Sequence, residues 1–161
     1  MNDTNDHINI YTDGACLGNP GPGGYGAILI YGDHQQELAG GYSETTNNRM
    51  EIMAAIRGLE ALVNRSKVTL YSDSQYLVNA MTLGWAEKWR KNGWRRNRKQ
   101  FAINSDLWSI LLDLCAYHNV EFRWVRGHAG LKGNEDADRL ASGAAKQNNL
   151  PPDTGYSSIQ P

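Results

Sequence analysis

The chain has 161 residues, of which 40% are hydrophobic, and a formal net charge of −1. This length fits one domain with a single core, since single domains typically have about 100 to 150 residues. No apolar run approaches the roughly 20 residues of a membrane span, and the polar start lacks the pattern of a signal peptide, so we expect a cytoplasmic protein without membrane segments.

The first half of the chain predicts an antiparallel meander followed by a helix. Alternating apolar and polar residues predict strands at 7–12, 25–31 and 37–42, and the Gly/Pro-rich LGNPGPGG after the first strand predicts a turn. Thr46 or Asn47 can cap the helix that follows. Apolar residues recur in it at helical spacing, and we expect it to end near Asn64: Ile52, Ile56, Leu59 and Val63.

The second half predicts two more strands that alternate with helices. The strands fall at 67–73 and 120–126, and helical stretches fall at 75–83, 86–91 and 105–117. The last helix is expected to begin after Gly133, with Asn134 as a possible cap, and to end near Lys146. Residues 148–161 form a polar, Pro-containing tail that we expect to be mobile.

Strand directions place four acidic residues and one histidine at a single edge of the predicted sheet. The meander and a helical crossover make the fourth strand parallel to the first, so Asp13 and Asp73 end at the same edge. Glu51 lies in the first turn of the descending helix there. The fifth strand also rises to this edge, which brings His128 and Asp138 to it.

Each of these residues also has a structural explanation. Asp13 before a glycine can be a turn residue, Asp73 can cap a helix, and acids at helix starts can complement the helix dipole. Four separate roles of this kind do not explain a shared edge. A lone loop histidine is more often simply exposed, although the flanking Gly127 and Gly130 predict a mobile loop around His128.

The oxygen-rich set of side chains predicts a site for divalent cations. Carboxylates without cysteines or several histidines favour Mg²⁺ or Mn²⁺ over zinc. Two such ions, roughly 3.5 to 4 Å apart, can activate a water and stabilise a leaving oxygen in phosphodiester hydrolysis. In that scheme Asp13 bridges the ions, the other three acids complete the coordination, and His128 moves protons or helps the product leave.

The near-zero net charge does not reveal that residues 84–100 form a strongly basic segment. It has seven basic residues against one acid, so it carries +6 and the rest of the chain carries −7. A solvated charged loop is the simpler explanation. The interleaved Trp85, Trp89 and Trp94 favour binding of a polyanion instead.

Six ordered blocks resemble type 1 ribonuclease H, the family that cuts the RNA strand of RNA/DNA hybrids: YTDGACLGNPGPGGYGAIL, TTNNRMEIMAAI, SDSQY, GWAEKWRKNGW, DLW and WVRGHAGLKGNEDADRLA. The resemblance implies an α/β ribonuclease H-like fold, with a five-stranded mixed sheet flanked by helices. It implies a catalytic domain at 1–147 with a basic protrusion at 84–100. It also implies two Mg²⁺ ions, with Mn²⁺ possible, and products with 5′-phosphate and 3′-hydroxyl ends.

The resemblance also assigns residues to roles. The family's metal-binding acids fall on Asp13, Glu51, Asp73 and Asp138, and its catalytic-loop histidine falls on His128. Family positions that reach the minor groove of the hybrid fall on Asn19, Asn47, Asn48 and Gln75, while Thr46 is placed to hold a phosphate. Helix capping is the alternative for the asparagine pair.

The protrusion resembles the family's channel for the DNA strand. Trp85 and Trp89 would line this channel, and five cations would neutralise phosphates: Lys88, Arg90, Lys91, Arg95 and Arg96. Trp94 can be structural instead, and we assign Trp108 and Trp124 to the core. Residues 97–104 do not align clearly with the family pattern.

Three rival functions follow from the same features. A noncatalytic hybrid-binding module would keep the tryptophans and could dispense with the acids, but all four are present. DNA strand transfer calls for other acidic spacing and further DNA-binding regions. ATP hydrolysis calls for phosphate-binding loops, and the glycines at 18–24 lack a following Lys-Ser/Thr. We expect a monomer, since the pattern leaves no obvious unpaired apolar surface.

Overall fold

The computed structural model describes residues 7–158 and contains, within that range, a five-stranded mixed sheet with strand order β3-β2-β1-β4-β5. The strands are β1 His7–Cys16, β2 Gly21–Tyr31, β3 His34–Thr45, β4 Lys67–Ser72 and β5 Asn119–Trp124. The helices are α1 Asn47–Glu60, α2 Gln75–Thr82, α3 Trp85–Lys91, α4 Ser105–Tyr117, α5 Lys132–Ala145 and α6 Thr154–Ser158.

The directions of the strands confirm the predicted mixed sheet. β1, β2 and β3 pair antiparallel, whereas β4 pairs parallel to β1 and to β5. The carboxyl ends of β1, β4 and β5 therefore lie at one edge, as the alternation of strands and helices requires.

Helices cover both faces of the sheet. α1 packs against β1, β2 and α4, and buried Ile10, Ile56, Leu70 and Trp108 belong to the core on that side. α5 packs on the opposite face against β1, β2 and β3. Within residues 7–158 no helix is both long and apolar enough to cross a membrane.

We predicted that the Gly/Pro-rich stretch forms a turn, but only its first part does. Its residues from Gly21 onward belong to β2, and α5 lies directly over this part of the strand. A Cβ at Gly26 would stand 2.5 Å from the carbonyl oxygen of Ala137. The strand is glycine-rich because the α5 backbone approaches it closely, which is a recurrent use of glycine within strands.

Two predicted helix boundaries are wrong. α1 ends at Glu60 rather than near Asn64, and Val63 is 89% exposed instead of buried, because apolar spacing marks a face but not where a helix stops. α5 begins at Lys132, so Asn134 lies inside the helix and is not its cap.

The C-terminal segment packs on the domain at residues 151–156, contrary to our prediction of a mobile tail. The backbone nitrogen of Ser43 donates to the carbonyl oxygen of Pro151 at 2.8 Å, and Asp153 and Tyr156 are buried. The polar composition did not reveal these contacts, because their partners lie more than 100 residues away in the chain. Residues 159–161 lie outside the described part.

Candidate active site

Three carboxylates from different elements meet at the carboxyl edge of the sheet. Asp13 on β1, Glu51 on α1 and Asp73 after β4 each offer an oxygen, and these oxygens lie within 4.8 Å of one another. Asp138 on α5 is within hydrogen-bonding reach of Asp13. The structure thus brings together the four acids that the strand directions had placed at one edge.

Gly14 lets α1 approach β1 closely enough to form this cluster. A Cβ at Gly14 would lie 2.5 Å from the backbone nitrogen of Glu51 and 2.6 Å from the carbonyl carbon of Met50. Because both neighbours are backbone atoms, no side-chain movement could make room. The D-G pair therefore has two roles: Asp13 supplies a carboxylate, and Gly14 leaves space for the α1 backbone at Met50 and Glu51.

Burial and mutual repulsion raise the affinity of the cluster for protons. Asp13 and Glu51 are each 4% exposed. Burial, followed by repulsion from Asp73 and contact with Asp138, raises the pKa of Asp13 from an ordinary 3.8 to about 8. Burial, and then repulsion from Asp13 and Asp73, holds the pKa of Glu51 well above its ordinary value. Without a cation the site therefore retains protons near neutral pH.

The donor set fits a hard divalent cation. Oxygen Oε1 of Glu51 is buried and accepts no hydrogen bond among residues 7–158, which is rare for a buried carboxylate. Carboxylate oxygens are the ligands that Mg²⁺ and Mn²⁺ prefer. A cation among these acids would satisfy that orphaned oxygen and offset the repulsion that raises the pKa of Asp13.

Two residues whose contacts we did not predict hold Asp73. Trp124 was predicted to be in the core, but its side chain is 43% exposed and its Nε1 donates to the carbonyl oxygen of Asp73 at 3.0 Å. The prediction failed because β5 is an edge strand and α5 packs over β1, β2 and β3, at the other end of the sheet. Buried Asn134 places Nδ2 3.5 Å from Oδ2 of Asp73. Its spacing of four residues before Asp138 was the available signal, since such residues share a helix face.

His128 lies on the loop between β5 and α5, which precedes the helix that carries Asp138. Its side chain is exposed and its backbone is left-handed, with φ 56. The preceding Gly127 touches the site, because a Cβ there would stand 2.7 Å from Oδ2 of Asp73. The mobility of this loop stays a prediction.

The predicted minor-groove residues cluster around the start of α1. Thr46 caps the helix by accepting a hydrogen bond from the backbone nitrogen of Arg49 at 3.2 Å. The backbone nitrogen of Asn47 donates to Oδ1 of Asn19 at 3.1 Å, which joins two of the predicted residues. Neither Asn47 nor Asn48 caps α1, and the side chain of Asn48 is exposed. Both amides are therefore free of the alternative role.

Gln75 occupies the first position of α2, shortly after Asp73 in the chain. Its side chain is exposed, and Ser74 supplies the cap by accepting from the backbone nitrogen of Leu77 at 3.1 Å. The chain thus places an amide one residue beyond the cap and two residues beyond Asp73. Its contact with substrate stays a prediction.

The protrusion consists of α3 and a turn that follows it. Trp85 is 41% exposed, whereas Trp89 packs on Trp108 with ring centroids 6.2 Å apart. A pocket of about 230 Å³ opens here, lined by Tyr76, Trp85, Trp89, Arg96, Ala102 and Ile103. Trp94 is half-buried and packs against the core, as its structural alternative requires.

The five predicted phosphate-binding cations have different surroundings. Arg96 lines the pocket, and Arg95 stacks over the ring of Phe101 at 4.5 Å. Arg90 pairs with Asp113 at 2.8 Å, Lys91 lies 3.6 Å from Glu87, and Lys88 is exposed. An antiparallel bridge between Arg95 and Phe101 closes residues 95–101, which include the first part of the segment that the sequence left unaligned.

Comparisons with known proteins agree on one family. Residues 5–146 match the sequence profile described as RNase H. The chain is 61% identical over 156 residues to a ribonuclease H of Rippkaea orientalis, covering 97% of this chain and 96% of that protein. Among solved structures, LC9-RNase H1, a type 1 RNase H with the type 2 active-site motif, is 35% identical with a TM-score of 0.76, covering 87% of this chain and 72% of that chain. The structure of LC11-RNase H1 in complex with RNA/DNA hybrid is 26% identical with a TM-score of 0.64, covering 86% of this chain and 96% of that chain.

Proposed function

The chain belongs to the type 1 ribonuclease H family of endoribonucleases, and we propose that it hydrolyses the RNA strand of RNA/DNA hybrids with two Mg²⁺ ions, leaving 5′-phosphate and 3′-hydroxyl ends. The observation that carries this proposal is the buried acidic cluster with its orphaned Glu51 oxygen. A binding module has no need to bury repelling carboxylates whose pKa values rise as a result.

The four acids are the residues that would hold the metal. Asp13 is adjacent to the other three, and its carboxylate together with those of Glu51, Asp73 and Asp138 would hold the ions. Mn²⁺ can use the same oxygen ligands. When bound, the ions supply an activated water and neutralise the charge that develops on the leaving oxygen. Trp124 and Asn134 hold the Asp73 ligand in place from outside the cluster.

Side chains at the start of α1 and α2 would distinguish RNA from DNA. Amide groups both donate and accept, so they can read base edges and 2′-hydroxyl groups in a wide minor groove. We assign this role to Asn19, Asn47, Asn48 and Gln75. Thr46, at the N-terminus of a 14-residue helix, is placed to hold a phosphate near the helix dipole.

His128 would move a proton to or from the reacting phosphate and help the product leave. It lies on an exposed loop, and the residue before it, Gly127, is so close to Asp73 that a Cβ there would stand 2.7 Å from Oδ2 of Asp73. Histidine is suited to this work because its pKa lies near neutral pH in the absence of perturbation.

The protrusion would bind the DNA strand of the hybrid. The exposed face of Trp85 and the ring of Trp89 offer surfaces for sugars or bases, and Arg96 adds a cation to the same pocket. Lys88, Arg90, Lys91 and Arg95 would add charge around it. We also propose that the protein acts as a monomer in the cytoplasm, as its sequence pattern predicts.

Product analysis tests the chemistry. The protein is incubated with a labelled hybrid and Mg²⁺, and the RNA fragments are assayed for polymerase extension, which requires a 3′-hydroxyl, and for ligation, which requires a 5′-phosphate. Fragments with 3′-phosphate ends would contradict the proposal.

A matched pair of α5 variants tests the metal assignment. Asp138→Asn should abolish cleavage. Asp136→Asn should not, because Asp136 pairs with Lys132 at 2.9 Å and with Arg139 at 3.7 Å instead of meeting the cluster. Equal losses in both variants would show that acidity of the helix, rather than the position of Asp138, matters.

A further inference from the structure

A buried arginine near the start of α1 joins this helix to the C-terminal segment. Arg49 is 1% exposed, and its Nε donates to Oδ2 of Asp153 at 2.7 Å. Its two terminal nitrogens pair with the carboxylate of Asp106 at 2.9 and 2.7 Å. One buried cation thus ties α1, the start of α4 and residue 153 together.

Asp153 also contacts the residue that precedes the α1 cap. Oδ2 of Asp153 accepts a hydrogen bond from the hydroxyl of fully buried Thr45 at 2.6 Å. Although burial acts to raise it, hydrogen bonds from Arg49 and Thr45 lower the pKa of Asp153 below its ordinary value. This carboxylate is therefore ionised at neutral pH, and it binds the hydroxyl of Thr45, the residue immediately before Thr46, Asn47 and Asn48.

The same arginine is linked through two hydrogen bonds to Tyr76 on α2, which lines the pocket beside the protrusion. Nη1 of Arg49 donates to Oδ1 of Asn104 at 3.2 Å, and Nδ2 of Asn104 donates to the hydroxyl of Tyr76 at 3.3 Å. That hydroxyl also accepts from Nε1 of Trp108 at 3.3 Å. Tyr76 follows Gln75 on α2 and lines the pocket that contains Trp85.

We propose that Asp153 and Arg49 are positioning residues for hybrid binding. They hold the asparagine-bearing start of α1 at a fixed distance from Gln75 and from the aromatic pocket of the protrusion. A hybrid that contacts both places needs both in register, so their spacing contributes to affinity. The C-terminal segment, beyond the residues 5–146 matched by the family, thereby takes part in substrate binding.

This inference rests on the proposed function, because it assumes that α1, α2 and the protrusion hold one hybrid. The competing explanation is that the network only stabilises the fold. A stabilising role predicts a lower unfolding temperature with unchanged binding by the molecules that remain folded. A positioning role predicts weaker binding in the folded protein, with the acidic cluster intact.

The test compares three variants of the full chain with the wild type. Asp153→Asn removes the charge but keeps the size of the side chain. Thr45→Val removes only the hydroxyl that donates to Asp153 and leaves the Arg49 ion pair in place. Leu29→Ala, in the core on β2, is the control that loses stability without touching the network. KM and kcat are measured on a hybrid with Mg²⁺, and hybrid Kd is measured with chelator, well below each unfolding midpoint.

We expect Asp153→Asn to raise KM and the metal-free Kd by about tenfold with kcat within about twofold, since misplacing charged hydrogen-bonding groups costs binding on this scale. Thr45→Val should raise both constants by about threefold, and Leu29→Ala should leave them unchanged. If Asp153→Asn does not fold, Thr45→Val decides the question.

Two outcomes overturn the inference and remain distinguishable from failure of the proposed function. Unchanged KM and Kd in both network variants, with a lowered unfolding temperature, would show that the network is only structural. Equal effects in Leu29→Ala would show that loss of stability alone weakens binding. A wild-type protein that binds the hybrid but does not cut it would refute the proposed function, and the metal-free Kd values would still decide the inference.

Discussion

Replacing Asp13 with Asn should stabilise the metal-free protein while abolishing cleavage. The side chain is 4% exposed and faces Asp73 and Asp138, so ionised Asp13 is repelled where water cannot screen the charge. Asn keeps the size and can still accept the hydrogen bond that Gly14 donates to Oδ1 at 2.9 Å. The substitution therefore removes the repulsion without removing the local contact.

The pKa of Asp13 sets the magnitude. The folded value of about 8 lies above the ordinary 3.8, so the folded protein binds more protons between these values and its stability falls as pH rises across them. A shift of this size corresponds to about 6 kcal/mol once the pH exceeds the folded pKa. Because the other acids share the repulsion and Asn is itself costly to bury, we expect Asp13→Asn to recover about 2 to 4 kcal/mol at pH 8.

Urea unfolding of both proteins at pH 5.5 and pH 8, with chelator and with Mg²⁺, measures this effect. The gap between variant and wild type should widen from pH 5.5 to pH 8 in chelator and narrow when Mg²⁺ binds the wild type. An Asp13→Asn protein no more stable than the wild type at pH 8 without metal would refute the reasoning about repulsion.

Three further predictions concern binding and acid stability. Trp85→Ala should weaken hybrid binding by roughly tenfold through loss of an exposed stacking surface, with Mg²⁺ affinity unchanged in calorimetry; an equal loss of both would argue against a separate DNA-binding protrusion. Gly127→Ala should reduce Mg²⁺ affinity about tenfold because its Cβ would stand 2.7 Å from Oδ2 of Asp73, whereas Gly143→Ala, with nothing within 4 Å, should not. Burial acts to raise the pKa of Asp153, but hydrogen bonds from Arg49 and Thr45 lower it below its ordinary value. The stabilisation that ionised Asp153 contributes is therefore present above pH 3.8 and is lost as pH falls through the folded pKa. Urea midpoints below pH 4 should fall less steeply in Asp153→Asn than in the wild type.

The acidic cluster could be predicted from the sequence because strand direction has only two values. Once the meander and a helical crossover were assigned, Asp13 and Asp73 had to end at the same edge, and Glu51 followed from the start of the next helix. Errors of several residues in strand ends did not alter this result. β1 continues to Cys16 instead of Thr12, and Asp13 still reaches the cluster.

Contacts that depend on which surfaces remain uncovered could not be predicted in this way. The alternation of β5 gives no sign that α5 stops short of it, so Trp124 was assigned to the core although it is exposed. The ion pair between Arg49 and Asp153 joins residues 104 positions apart. Arg49 lies in the block TTNNRMEIMAAI, but Asp153 belongs to no motif, and a polar tail gives no local signal that one carboxylate in it is buried.

The central claim is tested most directly by cleavage of a labelled RNA/DNA hybrid beside matched RNA/RNA and DNA/DNA duplexes, each with Mg²⁺ and with chelator. The account predicts cuts only in the RNA strand of the hybrid and only when metal is present. Binding of the hybrid without any cleavage in Mg²⁺ or Mn²⁺, or equal cutting of the DNA duplex, would contradict it.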